Sequence, residues 1–260
     1  MRLNEIRKDN PLIICMTNDV VKNFTANGLL ALGASPAMAE AKEEMDAFLS
    51  VAGALLINIG SLHPSRVEDM REAVKYANKH QVPVVLDPVA SGASSFRKEF
   101  CLNLLNDFDI SVIRGNASEL LALLEETTMK GTDSRTDLNN VEIAKRAHEI
   151  FGSAIVITGE VDTIVQDNRV ALVKNGTSLL TKVTGGGCLL GAVVASFVYN
   201  KVKPTLEDLT EALAAYTVAS EFACKLPNGT LPGHFAVHLI DQLYEITEDD
   251  IVANQRVEEV

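Results

Sequence analysis

Short uncharged runs alternate with amphipathic stretches along most of this chain, and that rhythm predicts a parallel sheet flanked by helices. Residues 54–59, 82–86, 109–113 and 154–157 are brief apolar runs bounded by turn residues, the form taken by strands buried on both faces. Between them the period changes to that of a helix. Val67, Met70, Val74 and Ala77 share one face of residues 65–80, and Phe96, Phe100, Leu104 and Phe108 mark another helix. Helices are also predicted over 117–126 and 137–151, with 130–136 a polar surface loop. Nearer the start, Val20, Val21, Phe24, Leu29 and Leu32 fit a helix with Thr17 or Asn18 as N-cap and Gly33 as stop; residues 37–52 read as a second helix.

After residue 160 the pattern shifts. Residues 163–166 and 170–174 flank Asp167-Asn168-Arg169, and Asn175-Gly176 precedes 178–183, a hairpin-like series that predicts an antiparallel edge. From Cys188 onward the chain reads as helix over 188–200, 206–225 and 235–246, followed by an acidic tail, 247–260, expected to be loosely held. There is no internal repeat and no interdomain linker. The expected fold class is therefore one α/β domain over 1–260: a mostly parallel, doubly wound central sheet with helices on both faces and an antiparallel edge.

Composition narrows the partners. The 260 residues are 47% hydrophobic and 22% charged, as in ordinary globular proteins, and the formal charge of -12 argues against nucleic acid or an anionic membrane surface. The longest uncharged apolar run, 188–199, is too short to span a bilayer. Cys15, Cys101, Cys188 and Cys224 form no C-x-x-C pair, and residues 1–10 lack a signal-peptide core, so a cytoplasmic protein is expected.

The chemistry is expected at the carboxyl ends of the parallel strands, where open sheets bind ligands. The groups found there are Asn58, Asp87, Arg114 with Asn116, Thr158, and the turn Gly185-Gly186-Gly187-Cys188. Three glycines opening an apolar helix expose free N–H groups at the positive end of its dipole, an anion hole suited to phosphate. A thiol in that first turn is tilted toward thiolate by the same dipole. Each group also has a plain structural alternative. Asp87-Pro88 could be a turn rather than a Mg²⁺-binding acid, and Arg114 could pair with a nearby acid rather than phosphate. Glu119 suits the first turn of a helix on dipole grounds alone, and Thr158 could be a cap. His234 and His238 lack an acidic third ligand and read as structural, as does the Ala/Met-rich stretch 36–45. No P-loop is present.

These residues lie in motifs that resemble the hydroxyethylthiazole kinase family. The motifs are NDVVKNFTANGLLALGASPAMAEAKEE at 18–44, VVLDPV at 84–89, IRGNASEL at 113–120, ITGEVD at 157–162 and VTGGGCLL at 183–190. The resemblance runs in order from about residue 11 to 240. It implies a ribokinase-like fold, and transfer of the ATP γ-phosphate to the hydroxyl of 4-methyl-5-(2-hydroxyethyl)thiazole for thiamine biosynthesis. It also implies Mg²⁺ as cofactor and a homotrimer with thiazole pockets between subunits. By the same resemblance Met38 and Gly185 contact the thiazole, Arg114 and Thr158 bind ATP, Asp87 and Glu119 are the Mg²⁺-side acids, and Gly186 and Gly187 belong to the anion hole.

Cys188 would be the catalytic base, where the wider ribokinase group carries an Asp. A thiol with a pKa of about 8.5 is only a few per cent ionised at neutral pH, so its expected contribution is modest. The chain departs from the family pattern at Gly186, where Thr or Ala is more usual, which predicts a looser turn. It departs also at Ala90-Ser91-Gly92 and at Leu231-Pro232-Gly233-His234-Phe235. Competing readings are a kinase of another small alcohol such as hydroxymethylpyrimidine, an ATP- or ADP-dependent dehydratase of hydrated nicotinamide nucleotides, and a nucleotide sensor without turnover.

Overall fold

The central strands send alternate side chains into two opposite cores, which is why they read as unbroken apolar runs. The computed structural model describes residues 1–128 and 139–260. Helix α1 (Arg2–Asp9) leads to β1 (Leu12–Met16), α2 (Lys22–Leu32), β2 (Ser35–Ala37), α3 (Lys42–Leu49), β3 (Ala54–Asn58), α4 (Pro64–Lys79) and β4 (Val84–Asp87). Then come α5 (Ser95–Asp107), β5 (Val112–Asn116), α6 (Ala117–Thr128), α7 (Asn140–Phe151), β6 (Ala154–Thr158), β7 (Asp162–Gln166) and β8 (Arg169–Val173). The chain closes with α8 (Gly186–Phe197), α9 (Leu206–Lys225), α10 (Pro232–Glu245), α11 (Glu248–Asn254) and β9 (Val257–Glu259).

Among the described residues the strands form one sheet in the order β2-β1-β3-β4-β5-β6-β7-β8-β9. Its β2-to-β6 portion is parallel, and β7, β8 and β9 continue it antiparallel. Leu56, Val85, Val112 and Val156 pack toward α8, α9 and α10, whereas Leu55, Leu86, Ile113 and Ile155 pack toward α3 to α7. Helix α8 is buried almost all round, from Leu189 to Phe197, which accounts for its uncharged sequence. No helix among the described residues is long and apolar enough to cross a membrane.

The layered fold agrees with the expectation; several details differ. β1 adds a parallel strand to those predicted, from a run as uncharged as theirs. The helix expected over 37–52 is shorter, because Ser35–Ala37 pairs with β1 as an edge strand and α3 starts only at Lys42. Pro36 is tolerated there because an edge strand has one unpaired side. Neither Thr17 nor Asn18 caps α2. Val21 holds that position without a side-chain bond, and the Asn18 amide is committed to the site described below. Residues 178–182 form a short 3-10 turn, not a strand.

The partner of β8 comes instead from the tail, which is held rather than loose. Thr247 and Asp250 form a capping box on α11, and β9 pairs with β8 in the register Ala171↔Glu259. Arg169–Glu259 and Lys174–Glu258 ion pairs fasten that edge. The polar loop expected at 130–136 lies outside the described residues.

Candidate active site

Parallel register turns four positions far apart in sequence into neighbours. Asn58 stands opposite Asp87 at the ends of β3 and β4, and Asn116 stands opposite Thr158 at the ends of β5 and β6. Asn58 Nδ2 donates to Asp87 Oδ2 at 2.7 Å. Arg114 Nη1 reaches the same oxygen at 3.5 Å, and Arg114 Nη2 donates to Thr158 Oγ1 at 3.0 Å. An amide, a carboxylate, a guanidinium and a hydroxyl thus form one buried series across the sheet. Two of its polar atoms, Asp87 Oδ1 and Arg114 Nε, are buried without a hydrogen-bond partner.

The Gly-rich turn lies over this series. Gly185 is the N-cap of α8 at φ 90, a left-handed conformation open to glycine, with Val21 Cγ1 3.0 Å from where its Cβ would be. A Cβ at Gly187 would lie 3.3 Å from Arg114 Nη1, and one at Gly191, a turn further along α8, 3.4 Å from Asp87 Oδ2. Glycine therefore lets the start of α8 settle directly on the charged pair. Gly186, where the chain departs from the family pattern, is closely surrounded. Its carbonyl accepts the buried Tyr216 hydroxyl at 2.6 Å, and a Cβ there would meet the Leu180 carbonyl oxygen at 2.7 Å. The carbonyl is thus pinned by Tyr216, and in this chain a side chain at 186 would press on the Leu180 main chain.

Cys188 stands half-buried in the first turn of α8, with Asn18 Nδ2 3.8 Å from its sulfur. Burial pushes its pKa above the ordinary value and the Asp87 carboxylate adds to that; Asn58, Arg114 and Asn18 pull the other way. The shift is upward, opposite to the tilt toward thiolate expected at a helix start, and the resting group is a thiol. Asp87 is raised to about 6, first by burial, with Arg114 opposing and Glu119 adding.

Glu119 closes the loop after β4 onto α6. Its Oε1 accepts the Ala90 N–H at 2.9 Å and its Oε2 the Asn116 N–H at 2.8 Å. Met38 lies between β2 and α3, half-buried against the core that α8 shares, and outside the hydrogen-bonded series. His238 bonds the Pro227 carbonyl at 2.9 Å, in keeping with a structural histidine. A cavity of about 840 Å³ opens at the other pole of the sheet, beside Asn78, Phe108, His148 and Gln166. The chemically matched groups all lie away from it, so chemistry rather than volume locates the site. Sequence reasoning gave Asn18 no part in the site. Its signal was a polar residue closely following an apolar run, the same signal that picked out Asn58.

Comparison with known proteins places the chain in a family. A sequence model described as the hydroxyethylthiazole kinase family matches residues 3–249. The chain is 65% identical over 260 residues to the hydroxyethylthiazole kinase of Macrococcus caseolyticus, covering 100% of both chains. It superimposes on the hydroxyethylthiazole kinase structure from Pyrococcus horikoshii with a TM-score of 0.91 at 38% identity, over 99% of this chain and 97% of that one. A ribokinase-like superfamily protein from Enterococcus faecalis shares the fold at a TM-score of 0.63 and 16% identity, over 90% of this chain and 86% of that one.

Proposed function

Because the chain belongs to the hydroxyethylthiazole kinase family, we propose that its strand-end cluster is where the ATP γ-phosphate passes to the hydroxyl of 4-methyl-5-(2-hydroxyethyl)thiazole. The product is the thiazole phosphate used in thiamine salvage. The observation that carries the assignment to this cluster is the buried series Asn58–Asp87–Arg114–Thr158 beneath the first turn of α8.

Arg114 and Thr158 hold the phosphates of ATP. The guanidinium supplies forked donors, and its Nε is free of any protein partner. The Gly187 N–H at the start of α8 takes the charge that gathers on the transferring group, whereas the Gly186 N–H, also expected in the anion hole, is held by the Val183 carbonyl at 3.3 Å. Gly185 and the backbone of Met38 border the thiazole. As the oxygen of the alcohol bonds to the γ-phosphorus, the bond from that phosphorus to the β–γ bridging oxygen breaks and ADP leaves with the electron pair. The alcohol proton passes to the Cys188 sulfur in its thiolate form, the scarce species at neutral pH, which becomes the thiol. Little of the barrier depends on that proton, because the transition state is loose and most catalysis is positioning and charge stabilisation.

Asp87 and Glu119 would hold Mg²⁺, partly through water. The fit rests on the buried, unpartnered Asp87 Oδ1 and on a second carboxylate close enough to raise the Asp87 pKa. When bound, the ion neutralises phosphate charge and aligns the transferring group. The whole chain acts as one kinase domain in the cytoplasm, where ATP is at hand. The working assembly is a homotrimer with acceptor pockets between neighbours.

The test is ADP release with hydroxyethylthiazole, with hydroxymethylpyrimidine and with no acceptor. Release that depends on the thiazole alcohol is expected; its absence would sink the assignment, and release with the pyrimidine alone would favour a different alcohol kinase.

A further inference from the structure

Two asparagines with no part in the reaction above join the carboxylate to the thiol. Asn58 is 1% exposed and Asn18, between β1 and α2, is 9% exposed. The direction of the Asn58 amide follows from its neighbours. The Gly60 backbone N–H can only donate, and it meets Asn58 Oδ1 at 3.0 Å. That end is the carbonyl, so Nδ2 faces Asp87 Oδ2 at 2.7 Å, where a carboxylate can only accept. Asn58 Oδ1 also takes Asn18 Nδ2 at 3.2 Å, which decides the Asn18 amide in turn. The Asn18 Nδ2 that results is the atom 3.8 Å from Cys188 Sγ. The Asn58 amide thus donates to the Asp87 carboxylate, while the Asn18 amide donates to the Asn58 carbonyl and faces the Cys188 sulfur.

Gly60 supports the same conclusion from a different direction. A Cβ there would lie 2.5 Å from Asn18 Nδ2 and 3.0 Å from Asn58 Oδ1, so glycine is what lets the two amides meet.

We propose that Asn18 and Asn58 are positioning residues for phosphoryl transfer: Asn58 locks Asn18 and Asp87 in place, and Asn18 donates to the Cys188 sulfur so that it is oriented to receive the acceptor proton. This rests on the kinase reading above. It adds that part of the acceptor chemistry is set from β1 and β3, outside the phosphate-binding elements.

A double-mutant cycle tests it. Asn18→Ala should lower the thiazole-dependent kcat about tenfold, the worth of one hydrogen bond to a charged group, with KM for ATP unchanged. In a Cys188→Ala background the same substitution should change kcat by less than about twofold, because Asn18 acts through the sulfur. Asn58→Asp preserves size and the acceptor for Gly60 and Asn18 but faces Asp87 with a like charge. It should lower kcat by at least the same factor in protein whose circular dichroism shows it folded at the assay temperature, although the like-charge contact lowers its melting temperature. If Asn18→Ala does not fold, Asn18→Ser takes its place in the cycle.

An equal loss from Asn18→Ala in both backgrounds would show a structural role and overturn the proposal. So would unchanged kcat in folded Asn18→Ala or in folded Asn58→Asp. If Cys188→Ala has no measurable turnover, Asn58→Asp and the kcat-against-KM split of Asn18→Ala decide alone. Parent enzyme without thiazole-dependent ADP release would overturn the kinase reading and this proposal together; an active parent with indifferent variants overturns only this one.

Discussion

Losing Arg114 should damage catalysis more than losing the thiol. The two substitutions to compare are Arg114→Gln and Cys188→Ala. Arg114 is 8% exposed and its Nη1 lies 3.5 Å from Asp87 Oδ2. At an effective dielectric of about 20, opposite unit charges 3.5 Å apart attract by about 5 kcal/mol before desolvation is subtracted. Even with that attraction Asp87 is raised to about 6. Without it the carboxyl rises further. The substitution thus removes the guanidinium that grips phosphate and disfavours the charged form of the acid beside it. Loss of one preorganised donor costs on the order of 10²–10³ in kcat, and the effect on the acid puts Arg114→Gln at or beyond the upper end.

Cys188 presents a smaller stake. Its pKa is above the ordinary thiol value, so the thiolate is scarce at neutral pH. General bases contribute on the order of 10²–10⁴, and a loose phosphoryl transition state puts this one near the bottom of that range. Cys188→Ala should therefore retain about 1% of parental kcat, a residue of activity set by the lower bound of general-base catalysis. Steady-state ADP release measures both variants; melting curves and ATP titration calorimetry separate misfolding from lost chemistry. An inactive Cys188→Ala enzyme with parental melting and ATP affinity would refute the ranking, as would Arg114→Gln turning over faster than Cys188→Ala.

Other perturbations test the fold around the site. Asp162, 6% exposed, is raised to about 6 by burial despite accepting the Gly159 N–H at 2.9 Å. Its folded value exceeds the unfolded one, so ionisation costs stability above pH 6, and that cost disappears as pH falls toward 4. Asp162→Asn, which keeps the acceptor, should melt higher at pH 7.5 by the equivalent of at most about 3 kcal/mol and converge with the parent near pH 4; equal melting at pH 7.5 would contradict this. Gly186→Ala should lower stability by about 1–3 kcal/mol in denaturant titrations, since its Cβ meets a main-chain oxygen that has little room to yield. Truncation after Asn254 removes β9 and bares the edge of β8; melting should fall and light scattering should show concentration-dependent association, while a monodisperse product with parental melting would assign β9 no protective role.

The layered fold was legible because strands buried on both faces leave a compositional trace and the intervening helices leave a periodic one. Where the trace failed, a longer-range contact decided the outcome. Residues 178–183 and 257–259 are both short and polar enough to be ambiguous. Which of them pairs with β8 depends on the capped helix α11 carrying the tail back to the sheet, and on Arg169 and Lys174 meeting acids nearly ninety positions away. The edge strand Ser35–Ala37 was hidden by the helix-forming residues that follow it. Only the neighbouring β1 makes it a strand.

The site was legible to the extent that it follows from topology. In a parallel sheet, whatever ends one strand stands beside whatever ends the next, so Asn58, Asp87, Arg114 and Thr158 had to be neighbours once the strands were placed. The protonation of the thiol did not follow from local sequence. A helix N-terminus favours thiolate, but the same buried helix start also excludes water and sets Asp87 nearby, and both push the thiol pKa up. The direction of each amide was equally hidden, since it hinges on a single backbone N–H at Gly60 and on that glycine having no Cβ. The two kinds of information therefore separate cleanly. Strand order assembles the acid and the phosphate grip, whereas Cys188 is placed by α8 and the donors that orient it are decided by close contacts between the β1–α2 and β3–α4 connections, which strand-end positions do not specify.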